Sequence, residues 1–78
     1  MDKVPWDRVI LNEFLTLAIL TDEEQEILKT RIAGWSQVRQ CHAYNMSLAT
    51  LNRKVKKMKE KYHSVQKHSD ILPENIEF

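Results

Sequence analysis

A chain of 78 residues with a formal net charge of +1 and 42% apolar residues has material for one small core and too little for the enclosed pocket an enzyme needs. Its single cysteine excludes an internal disulfide and fits a reducing compartment. The near-zero total hides a segregation of charge: residues 1–34 carry four Lys/Arg against seven Asp/Glu, residues 35–67 carry eight against one, and the last eleven carry none against three.

In chain order, Pro5 suits a first helical position, and the apolar series Trp6, Val9, Ile10, Leu11, Phe14, Leu15, Leu17, Ala18, Ile19 and Leu20, with a polar strip of Arg8, Asn12, Glu13 and Thr16, predicts a helix over 5–19. The charged start and the polar strip make this segment neither a membrane span nor a signal peptide, so the cytoplasm is the expected location. Thr21 followed at the third position by Glu24 is a capping box, in which each side chain satisfies a backbone N–H of the first turn. The helix it opens, over 22–33, ends at Gly34, the only glycine, suited to the left-handed position that closes helices. Ser36 caps a short helix over 36–44. Asn45 can take the left-handed conformation in glycine's place, and Ser47 caps a helix over 47–66. The connection of Tyr44 to Met46 is short enough to force the two helices across each other.

Within 47–66 the apolar residues Leu48, Leu51, Val55, Met58, Tyr62 and Val65 recur at three- and four-residue spacing and form one stripe facing a core or a partner helix. Seven of the eight basic residues of 35–67 lie on or just after this helix, a ridge that attracts phosphates by releasing their counterions. Pro73 ends any helix before it, and the tail over 67–78 is expected to be either disordered or docked on the body through Ile71, Leu72, Ile76 and Phe78. The expected fold is therefore an all-α, four-helix single domain over 1–66 followed by that tail.

Catalytic and metal chemistry find no constellation. Cys41 and His42 are adjacent and diverge by about 100° on a helix, and His63 and His68 stand five apart, so neither pair offers a ligand set or an activated nucleophile. Cys41 reads as a small buried residue, Trp6 and Trp35 as core residues, and no cofactor or metal is expected.

The run Leu20-Thr21-x-x-Glu24-x-x-Ile27-Leu28-x5-Gly34-Trp35-Ser36, then Cys41, then Met46-Ser47-x-x-Thr50-Leu51-x3-Val55-x2-Met58-x3-Tyr62, resembles the helix-turn-helix shared by region 4 of sigma-70 family factors and by LuxR-type regulator domains, without a gap over about 43 of the 78 residues. Gln40 stands where that family usually has an aliphatic residue, and Asn45 where it has glycine. The resemblance implies a small residue at Cys41 where two helices touch, and core roles for Met46, Leu51 and Val55. It also implies that Leu48, Ala49, Asn52 and Arg53 point into a DNA major groove while Ser47, Thr50, Lys56 and Lys57 lie near phosphates. Nothing corresponds to the promoter-melting regions of a complete sigma factor, so the likeness is to a short stand-alone relative from bacterial or mobile-element genomes.

The expected function is sequence-specific binding of double-stranded DNA in transcription regulation, with Arg53 suited to a guanine and Asn52 to an adenine. The alternative is an adaptor using the same fold to contact RNA polymerase or another regulator, through the Leu48-to-Val65 stripe or the first helix. The apolar surplus of the first helix, with Tyr62 and Val65 beyond a compact trihelical core, also suggests a homodimer.

Overall fold

A computed structural model of the protein describes residues 3–78. It is all-α, with α1 (Arg8–Leu17), α2 (Asp22–Ile32), α3 (Gln37–Ala43) and α4 (Leu48–Gln66) in chain order. Among the described residues no helix is long and apolar enough to cross a membrane.

The short-range signals act where the sequence puts them. Thr21 Oγ1 accepts from the Glu24 N–H at 3.1 Å and Glu24 Oε1 accepts from the Thr21 N–H at 3.0 Å, so both halves of the capping box form. Ser36 and Ser47 accept from the N–H groups of Arg39 and Thr50 at 3.1 and 3.2 Å. Helices α2 and α3 end in the same way. Gly34, at φ 92°, donates to the Arg31 carbonyl while Trp35 donates to that of Thr30; Asn45, at φ 51°, donates to the His42 carbonyl while Met46 donates to that of Cys41. These paired bonds satisfy carbonyls that a helix end leaves open, and they require the left-handed residue that glycine or asparagine supplies.

The first helix is shorter than the 5–19 expected. It starts at Arg8, because the Asp7 side chain accepts the Ile10 N–H at 2.8 Å and a carboxylate cap outcompetes proline at a first-turn position as a start signal. It stops at Leu17, with Ala18 extended. Val4, restricted to extended backbone by the proline after it, instead makes a parallel bridge with Ile76, donating to the Asn75 carbonyl and accepting from the Glu77 N–H, both at 2.9 Å.

That bridge belongs to a docked tail. Leu72 and Ile76 are buried, the Ser69 hydroxyl donates to Glu13 Oε2 at 2.7 Å, the Tyr62 hydroxyl donates to the Pro73 carbonyl, and the Trp6 indole N–H donates to the Glu77 carbonyl. Phe78 completes an aromatic cluster with Trp6, Phe14 and Tyr62, whose rings meet at centroid separations of 5.3 to 5.8 Å apart from a longer 6.5 Å for Phe14 and Phe78. Burial pushes the Tyr62 hydroxyl up to about 12. The cluster continues into Ile27, Leu28, Leu51, Val55 and Met58, so the α4 stripe is the spine of the core and Tyr62 is fully inside it.

Candidate nucleic-acid interface

Helix α4 buries one side and exposes the other. Leu51, Val55, Met58 and Tyr62 lie at 0–5% exposure, and Ala49, Asn52, Arg53, Lys56 and Lys57 are all exposed. Ser47 is exposed at the cap and Thr50 is half-buried, its hydroxyl accepting from that of Ser47 at 3.0 Å. Leu48 is a correction to the stripe: at 49% exposure it stands off the core and joins the solvent face. The residues expected to contact DNA thus share the outer surface of the first half of α4.

What aims that surface is the seating of α3. Gln40 is fully buried, and its amide donates to the Ile27 carbonyl and to Thr30 Oγ1, both at 2.9 Å, while its oxygen accepts from Arg31 Nη1 at 3.4 Å. The Tyr44 hydroxyl donates to the Glu26 carbonyl at 3.1 Å. An aliphatic residue at position 40 would pack without anchoring; the amide fixes α3 on α2 through directional bonds. Met46 packs against the core and Cys41 is half-buried rather than buried. Trp35 is also half-buried, with the Arg39 guanidinium 3.9 Å above its ring, a cation–π contact that spacing alone did not reveal.

The ridge is less charged than a count of its lysines suggests. Lys54 Nζ lies 2.6 Å from Glu23 and Lys61 Nζ lies 2.7 Å from Glu24, and Lys61 also donates to the Ile19 carbonyl at 3.0 Å. Burial pulls the Glu24 carboxyl upward, but the Lys61 ammonium and the Thr21 N–H on the same oxygen, with the Thr21 hydroxyl, hold it below its ordinary 4.5. Two lysines of the ridge are therefore paired with carboxylates of α2. The acidic first turn of α2 and α4 together wall a groove of about 380 Å³ lined by Thr21, Glu24, Thr50, Arg53, Lys54, Lys57 and Lys61. The acidic partners were not legible, because Glu24 and Lys61 stand 37 residues apart.

Comparison with protein-family models, with curated proteins and with solved structures finds no match for this chain.

Proposed function

We propose that the protein binds double-stranded DNA sequence-specifically as a helix-turn-helix, with α3, residues 44–46 and α4 as its unit and the first half of α4 in the major groove. It would act in the bacterial cytoplasm as a small transcriptional regulator, or as the DNA-contact part of one. The observation that carries the reading is the outer face of α4, where Ala49, Asn52, Arg53, Lys56 and Lys57 are exposed together directly after a capped, sharply turned start. The Arg53 guanidinium can donate twice to a guanine edge and the Asn52 amide can donate to and accept from an adenine edge, and Lys56 and Lys57 carry the sequence-independent attraction to phosphates.

Through the α4 stripe the adaptor reading has less to work with, since Leu51, Val55, Met58 and Tyr62 are taken up by the protein's own core, which leaves it the first helix. A random-sequence duplex pool titrated with the protein at several salt concentrations tests the proposal. The logarithm of the affinity should fall with that of the salt concentration by about 0.9 for each phosphate neutralised. Absence of binding at low salt rejects it.

A further inference from the structure

Resting on that reading, we propose that Glu23 is an internal stand-in for a DNA phosphate, which occupies Lys54 and holds the affinity of the interface below what its basic residues would give. Lys54, Lys57 and Lys61 follow one another along α4 at three- and four-residue spacing, a row of like charges facing the start of α2. Glu23 and Glu24 neutralise the outer two, and Lys57 between them makes no ion pair among the described residues.

The two pairs are built differently. Glu24 is only 6% exposed and shares its oxygen with the capping box, so Lys61 is bound into the fold. The Lys54 and Glu23 side chains are 34% and 46% exposed, and an ion pair this wet contributes little to stability and exchanges partners readily. Its lysine, Lys54, stands with Arg53 and Lys57 on the wall of the same groove. A phosphate approaching that wall finds one lysine already holding a carboxylate. It must either displace Glu23 or lie against its charge.

The test compares wild type, E23Q, E23Q/K54Q and E26Q on one duplex across a salt series, with thermal unfolding confirming that each is folded. Glu26 is exposed on the same helix and forms no ion pair among the described residues, so E26Q controls for net charge. Freeing one lysine should tighten E23Q about 5-fold at low salt and steepen its log–log salt dependence by about 0.9. E23Q/K54Q should return to the wild-type slope, and E26Q should change affinity less than about twofold, as a charge outside the interface does. An E23Q slope equal to wild type, or a gain that persists without Lys54, overturns the proposal while leaving DNA binding intact. Failure of all four proteins to bind removes the functional reading and this one together.

Discussion

Arg53 and Lys57 sit one turn apart on the same face of α4 and are both exposed, yet they should fail differently when truncated. A guanidinium that bonds a guanine edge in two places discriminates bases by about 1–3 kcal/mol, whereas an ammonium on a phosphate adds affinity to every sequence alike. In a selection from random duplexes, R53A should flatten the preferred motif at one position. K57A should weaken binding to all sequences and leave the motif unchanged. The reverse pattern would mean that α4 sits in the groove rotated from the orientation argued above. Glu24 invites a second residue-scale test. Its folded carboxyl titrates below the ordinary 4.5, so the unfolded chain takes up its proton first as pH falls. The stability it contributes is present above that value and lost as pH drops through the lower folded one. Urea denaturation between pH 7 and 3 should show this loss in the wild type and a shallower one in E24Q, which starts less stable at pH 7. Equal pH profiles would mean that the pair with Lys61 contributes nothing to folding.

Helix boundaries set by neighbouring residues were legible in the sequence, and those set by distant ones were not. The Thr21 and Glu24 box, the serine caps and the left-handed Gly34 and Asn45 each depend on side chains within a few positions, where geometry follows from spacing. The start of α1 is the exception among the local boundaries: Asp7 caps the Ile10 N–H only three residues on, but Pro5 offered a competing start signal. The face of α4 that carries the candidate site followed from its apolar period. Which of its lysines remain available did not, since Glu23 and Glu24 come from another helix. The tail is a structural element in its own right, with Leu72 at 3% and Ile76 at 7% exposure. Truncating such a leucine costs about 2–5 kcal/mol, and each kcal/mol moves the melting temperature of a domain this size by about 4–8 °C. L72A should therefore melt about 10 °C or more below wild type by circular dichroism. A shift near zero would show that the tail adds nothing to the fold.

The whole molecule uses its apolar surface more fully than the first helix suggested. Tyr62, which raised the prospect of a two-fold partner, is buried among Trp6, Phe14 and Phe78, and Val65 is partly covered. The large apolar residues still most exposed, Ile19 at 90%, Val38 at 69% and Val9 at 61%, come from three separate stretches of chain. Exposed apolar residues in such numbers are normal on a monomer surface. Sedimentation at tens of micromolar should accordingly give a mass near 9.3 kDa that does not rise with concentration. A mass near twice that would restore the dimer and the paired half-sites it implies. On the DNA-binding proposal, a monomer would need only one half-site or a second protein for the other contact.

The bridge between Val4 and Ile76 joins residues from opposite ends of the sequence, and this gives the molecule an order of assembly. Closing so long a loop loses much chain entropy before any contact repays it, whereas the helices and their turns close over short distances. The segments preceding α1 and following α4 should therefore settle last on folding and loosen first when the native state fluctuates. The amides of Val4 and Glu77, which hold the bridge, should exchange with solvent deuterons well before those of Leu51 and Val55. The surface of α4 that faces outward would keep its shape through such openings, because its supports, Gln40 and the left-handed turn at Asn45, are bonded to α2 and α3 and not to the paired ends.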